Sequence, residues 1–265
     1  MQQRKLINSE KEFVMRYVIL ITNILIALII MTSHQVIAGP PFVTDDPEPV
    51  DYQHWEVNYG LNKTWSDGAY SAGLPGIDIN YGFTSNLQLH IQPKYTYVHD
   101  AGISLNGIDN TEVGIKYRFI NNIYTDSTLM VGTYPMIQIP TGENKLSPSS
   151  GKAQSFLPIW AQYNQNNWTL YGGTGYRFNN WLDSKNSFFV GCVALYQLTN
   201  NFALGGEVFR ESAATIGDKS TSAFNLGGTY HITDNYHLLF SAGRGLGNST
   251  STNSLSTYLA LQAIY

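Results

Sequence analysis

From Gln53 to the last residue the chain is written in short segments in which apolar and polar side chains alternate one by one. Successive side chains of a β-strand point to opposite faces, so a period of two specifies strands with two chemically different faces. Trp55, Val57, Tyr59 and Leu61 share one face, against Glu56, Asn58, Gly60 and Asn62. Leu87, Leu89, Ile91 and Tyr95 oppose Gln88, His90, Gln92 and Lys94. Val113, Ile115, Tyr117 and Phe119 oppose Glu112, Gly114, Lys116 and Arg118, and Phe224, Leu226, Tyr230 and Ile232 oppose Asn225, Thr229 and His231.

A soluble β-sandwich would show the same alternation, its apolar face turned to a core. The connections argue for a transmembrane barrel instead. Short polar turns fall near residues 84–86, 121–122, 164–167, 199–201 and 233–235. Longer loops fall between them, near 66–73, 98–109, 140–154, 179–187, 211–222 and 246–254. Short turns on one side and long loops on the other are the pattern of an outer-membrane barrel. Tyr124, Trp168, Phe202 and Tyr236 follow the short turns, with Leu87 in the equivalent place, as an aromatic girdle at a membrane interface requires. The reading is all-β: an antiparallel up-and-down barrel over 53–265 of about twelve strands, the first at 54–65 and the last at 255–265. An even count leaves both ends on the periplasmic side, and the final Tyr265 is expected to act as the membrane-insertion signal.

Composition agrees. Charged residues make up 13% of the chain, about half the share usual in a soluble domain, while 18 Tyr and 24 Gly suit a barrel wall. After residue 38 no apolar run is long enough for a membrane helix. The same stretch holds about 11 basic and about 17 acidic residues, which gives nucleic acid no surface to bind. Cys192 is the only cysteine, so no intramolecular disulfide holds the fold.

Residues 1–38 read as a cleavable signal peptide: the apolar run 17–31 follows Arg16 and precedes Val36-Ile37-Ala38, with Met15 as an alternative start. Residues 39–52 (GPPFVTDDPEPVDY) are Pro-rich and acidic, with no strand pattern. They are expected to be a periplasmic tether; the alternative is a plug whose Asp45, Asp46 and Glu48 meet Lys94, Lys116 or Arg118.

If the apolar face meets lipid, the other face lines a lumen. Glu56, Asp78, His90, Lys94, Glu112, Lys116, Arg118, Arg177, Glu207, His231 and His237 then project inward, either as salt-bridged filling or as charges that select a solute. Gly173, Gly175, Gly205, Gly227, Ser241 and Gly243 share that face, opening a passage or letting neighbouring side chains lie flat.

A lipid hydrolase would need a Ser and a His adjacent on the outer face, and no histidine after residue 38 has that partner; His237 and Ser241 share a face but lie about 13 Å apart along a strand. Gly243-Arg244-Gly245-Leu246-Gly247 has no helix after it, so it fails as a dinucleotide loop, and no metal-ligand spacing occurs. No cofactor is expected.

PFVTDDPEPV, TEVGIKYRF, YPMIQIPTG, LPIWAQY, YGGTGYRF, LGGEVF and HLLFSAGRG run in order along the chain. Together they resemble the family of outer-membrane transporters named for the meta-pathway of phenol degradation. The resemblance implies a barrel that carries small solutes, with aromatic or apolar compounds as the implied class, and it supplies no catalytic residues. The expectation is a non-enzymatic, passive outer-membrane channel whose partners are membrane lipid, the barrel-assembly machinery and its solute. Its rivals are a structural or adhesive barrel without transport and, third, the lipid hydrolase.

Overall fold

In the computed structural model, which describes residues 40–143, 145–147 and 149–265, fifteen strand segments form one antiparallel sheet that closes on itself. The leader assigned to residues 1–38 lies outside the described residues. β1 (Trp55–Ser66) and β2 (Ala69–Thr84) form the first hairpin. β3 (Leu87–Gln92) and β4 (Lys94–Asp100) are two halves of one stave, parted at Pro93, and β2 runs alongside both. β5 (Ile103–Ile108) and β6 (Thr111–Ile123) are likewise one stave, parted at Asp109-Asn110, and β7 (Ser127–Thr133) and β8 (Met136–Ile139) another, parted at Pro135. A proline has no N–H to give the ladder, and the ladder is interrupted at Pro93 and Pro135, although Pro158 is accommodated inside the continuous β9.

β9 (Gln154–Gln165), β10 (Trp168–Phe178), β11 (Ser187–Thr199), β12 (Phe202–Glu211), β13 (Thr221–His231), β14 (Tyr236–Gly247) and β15 (Leu255–Ile264) then pair each with the next. With the three interrupted staves each taken as one, the wall has twelve staves, the number expected. β15 closes it on β1, from Trp65↔Leu255 to Glu56↔Ile264, and Trp55 and Tyr265 exchange backbone hydrogen bonds of 2.9 Å in both directions. Closure removes the free edge from the body of the wall, as a sheet in hydrocarbon requires, while β5, paired with β4 alone, rises beyond it at the loop-bearing end.

Connections at the end of the barrel where β1 begins and β15 runs out to the terminal Tyr265 are short. At the opposite end long loops span 140–153, 179–186, 212–220 and 248–254, the last containing one helical turn, α1 (Ser249–Thr252). Two of the loops expected there are absent. The stretches 66–73 and 98–109 are strand up to two-residue turns at Asp67-Gly68 and Ala101-Gly102, all four residues at positive φ. Both central residues of a type I′ turn need positive φ, and its twist matches that of the flanking strands, so the hairpins continue to their tips.

The wall is apolar outside and polar inside. Leu61, Leu89, Ile115, Ile159, Leu170, Val208, Leu226 and Leu259 are exposed on the outer surface, while the alternate positions Glu56, Asn58, Asn80, Gln88, His90, Lys116, Gln162, Asn225 and Gln262 are buried. Exposed aromatics concentrate near the two ends. Trp55 pairs with Tyr81 at 4.6 Å and Trp168 with Tyr196 at 4.8 Å near the terminus-bearing end. Tyr95 pairs with Tyr97 and Tyr176 with Phe178 toward the other. Such rings suit the interface, where one edge is apolar and the other wet.

Leu226 stands in the middle of β13 and is 62% exposed. Leu226→Arg is expected to cost about 2–4 kcal/mol of folding free energy, the price of a cation at the bilayer midplane. Equilibrium unfolding from lipid vesicles, followed by heat-modifiable gel mobility, measures it; a cost near zero there contradicts a lipid-facing outer wall.

Candidate functional site

The inner face gathers polar side chains that a closed barrel shields from bulk water, and buried polar groups need partners. Many of those partners come from residues 40–52. The tether expected for this segment is corrected: it runs inside the barrel from the terminus-bearing mouth to about mid-height. Val50 N–H donates to Gln88 Oε1 at 2.9 Å near the mouth, and Gln162 Nε2 donates to Glu48 Oε2 at 2.9 Å. Deeper, Lys116 Nζ lies 3.0 Å from Asp45 Oδ1 and 3.5 Å from Asp46 Oδ1. Beyond these, Thr44 and Val43 N–H donate to the Glu207 carboxylate at 2.5 and 3.2 Å, and Ser241 Oγ donates to Pro41 O at 2.6 Å.

These contacts reach five staves, and the residues that make them are deeply buried: Asp46 is 0%, Glu207 2% and Lys116 4% exposed. Two prolines on either side of the acidic pair hold the segment extended, so its backbone N–H groups are free to meet wall side chains. Phe42 packs on the inward Tyr171, Val193 and Leu195. At Gly191 the approach is so close that a Cβ would run into Thr44 Oγ1, so the wall needs glycine there.

Of the three cations considered for this segment, Lys116 is the one that meets its carboxylates. Lys94 Nζ lies 3.7 Å from Glu112 Oε2, and Arg118 turns to the mouth, donating to Ser85 O at 2.8 Å and to Asn86 Oδ1.

Beside the segment lies a cavity of about 380 Å³ with two unlike walls. One is a charged chain: His90 Nδ1 is 3.0 Å from Asp78 Oδ1, His90 Nε2 3.6 Å from Glu112 Oε1, and Glu112 leads on to Lys94. Glu56 stands next to it, accepting N–H from Asn58 at 3.1 Å and Asn80 at 3.4 Å. The other wall is aromatic. Phe156 and Trp160 pack with Tyr134 and Phe189 in one buried cluster, ring centroids about 6 Å apart, and Arg177 lies over Phe156 at 4.5 Å while bonding Glu211 at 3.2 Å.

Sequence reasoning missed this aromatic wall. In β9 the inward Phe156, Pro158 and Trp160 alternate with Leu157, Ile159 and Ala161, so both faces are apolar and the period of two falls silent. The inward glycines of β10 gain their explanation here: the Phe156 ring lies over Gly175 and the Trp160 ring against Gly173. At these two positions glycine lets rings lie flat against the wall.

The remaining residues singled out from the sequence are scattered. Glu207 is held by Asn225 Nδ2 at 2.6 Å as well as by the inner segment. His231 and His237 stack at 3.9 Å near the mouth, with His237 Nδ1 2.8 Å from Gln262 Oε1. His237 and Ser241 are both buried on the inner face, whereas an interfacial lipid hydrolase would need them outside. Tyr265 is exposed at the seam. Among the described residues no cluster of three or more His, Cys, Asp or Glu side chains is arranged to hold a metal ion.

Comparison with known proteins adds to this geometry. The family described as "Putative MetA-pathway of phenol degradation" matches residues 99–261. No curated protein matches the chain in sequence. Among solved structures, an outer membrane channel from Pseudomonas putida F1 superimposes with a TM-score of 0.63 at 12% identity, over 86% of this chain and 100% of that one. The NanC porin does so with a TM-score of 0.51 at 10% identity, over 79% and 98%. At such identities the likeness shows a shared fold.

The seating of the inner segment can be read chemically. With Cys192, exposed on the outer wall, replaced by Ser, a Thr44→Cys variant is expected to resist a water-soluble maleimide. Adding Lys116→Met leaves Asp45 and Asp46 without their cation, and removing one partner of a buried pair costs several kcal/mol, so labelling should rise at least about tenfold. Equal rates in the two proteins would mean that Lys116 does not hold the segment.

Proposed function

The chain belongs to the family described as "Putative MetA-pathway of phenol degradation", and from that premise we propose that it is a passive channel of the outer membrane of a Gram-negative bacterium, passing small solutes along their own gradient. The observation that carries the reading is the inverted wall: an apolar exterior around a polar interior that holds a cavity of about 380 Å³. A barrel serving only as a surface scaffold has no need of such a chamber. The cavity lies at the small end of the range for ligand sites, which suits a solute of one ring or less.

In this reading Glu56, Asp78, His90, Lys94, Glu112, Lys116, Arg118, Arg177, Glu207, His231 and His237 line the path, with differing tasks. Lys116 and Glu207 hold the inner segment, which narrows the passage from the terminus-bearing, periplasmic mouth to mid-height. Arg118 braces the turn at that mouth. Asp78, His90, Glu112 and Lys94 face the chamber and set the field a solute meets. The aromatic wall offers apolar contact to the body of the solute, in keeping with aromatic or apolar cargo.

Single-channel recording in planar bilayers tests the reading. The full-length chain, purified from membranes in detergent, is expected to give small, discrete current steps. Deleting residues 40–50 should enlarge them severalfold, because a segment bound to five staves would leave the narrowest part of the path. Silence from both proteins, each shown to be folded by heat-modifiable mobility, would sink the proposal.

A further inference from the structure

We propose that the chamber is a selectivity site for small organic cations: a protonated amine joined to a flat apolar body. This rests on the reading of the barrel as a channel and names the chemical class of its solute. Five carboxylates line the cavity against three obligate cations and one histidine. Each of those cations is already engaged. Lys116 lies between Asp45 and Asp46, Lys94 against Glu112, Arg177 against Glu211, and His90 against Asp78. An anionic solute would have to displace one of these pairs to find a partner.

A cationic solute finds one waiting. Glu56 is 7% exposed, lines the chamber, and has no cation in ion-pair range among the described residues; its hydrogen bonds come from the amides of Asn58 and Asn80. Removed from water, a carboxylate served by neutral amides alone gains more from a positive charge than one already paired.

The opposite wall fits the rest of such a molecule. β9 stands five staves round the barrel of twelve from β1, so Phe156 and Trp160 face the side that carries Glu56, and the same cavity touches both. The protein itself shows that these rings accept cations: Arg177 lies 4.5 Å from the centroid of Phe156, and Lys116 Nζ 5.0 Å from that of Tyr134. A ring-bearing ammonium can therefore set its charge toward Glu56 and its flat body against the aromatic wall, gaining both contacts at once.

Three probes of one size separate the possibilities: benzylammonium, benzyl alcohol and benzoate, added to the full-length protein in planar bilayers while the potassium chloride current is recorded. Benzylammonium is expected to interrupt the current at about tenfold lower concentration than either of the others. Glu56→Gln should raise its half-blocking concentration about tenfold, the equivalent of one hydrogen-bonded charge. Phe156→Leu, a second variant should the first fail to fold, is expected to lower the preference for benzylammonium over methylammonium, which a purely structural role would leave unmoved. Stronger block by benzoate or benzyl alcohol, or the same half-blocking concentration in Glu56→Gln, overturns the inference while the current steps keep the channel reading standing. If no current flows at all, the channel reading fails by itself, and calorimetric titration of benzylammonium into the detergent-solubilised protein decides the site: saturable heat weakened by Glu56→Gln upholds it, and its absence removes it.

Discussion

Everything in this molecule depends on the obligation of backbone N–H and C=O groups to be hydrogen-bonded where water is scarce. Along a strand these groups point sideways, so only the next strand can satisfy them, and a sheet surrounded by hydrocarbon has to close. The seam between β1 and β15 is where that requirement is met, down to the exchange between Trp55 and Tyr265 at its end. Once the ring is closed, alternation along each strand divides the side chains into two populations. Leucines, isoleucines and valines stand outside; amides, carboxylates and cations are enclosed.

Enclosure creates a second obligation, and the inner segment answers much of it. A wall of polar side chains with nothing inside would leave its charges either solvated or unpaired. The segment brings two adjacent aspartates to Lys116 and two backbone N–H groups to Glu207, so charges on distant staves share one strap of chain. The bonds radiate from an extended backbone that contributes none to the sheet. The segment is thereby joined to the wall through wall side chains, whereas the staves are joined to one another by backbone ladders.

Legibility from sequence followed the chemistry of each face. Where the two faces differ, as in Trp55 to Asn62 or Val113 to Phe119, strand and orientation were both readable. Where both faces are apolar, as in β9, the strand was readable but its inward aromatic wall was hidden, because the signal is a difference and there was none. The overlong loops at 66–73 and 98–109 arose differently. Gly and Ser in those stretches look like loop, yet Asp67-Gly68 carries a tight-turn signature and lets the hairpin run to its tip. Side-chain partners were the least legible: Lys94, Lys116 and Arg118 are alike in sequence, and only Lys116 lies at the depth the aspartates reach.

The sequence by itself determined that this chain forms strands, how many staves they make, which face of most strands meets lipid, and where most of the short turns lie; the turn expected at 121–122 falls inside β6, whose ladder to β7 runs on to Ile123 so that the chain turns at 124–126. All of these follow from side-chain period and local backbone preference, which act over a few neighbouring residues. Only the tertiary structure decided that residues 40–52 lie inside the barrel, that Phe156, Trp160 and Glu56 line one chamber, and that the chamber's cations are paired with carboxylates while Glu56 has no cation in ion-pair range among the described residues. Those facts depend on bringing together residues up to 200 positions apart, as Pro41 and Ser241 are. That proximity comes from closing the ring, and no local pattern encodes it.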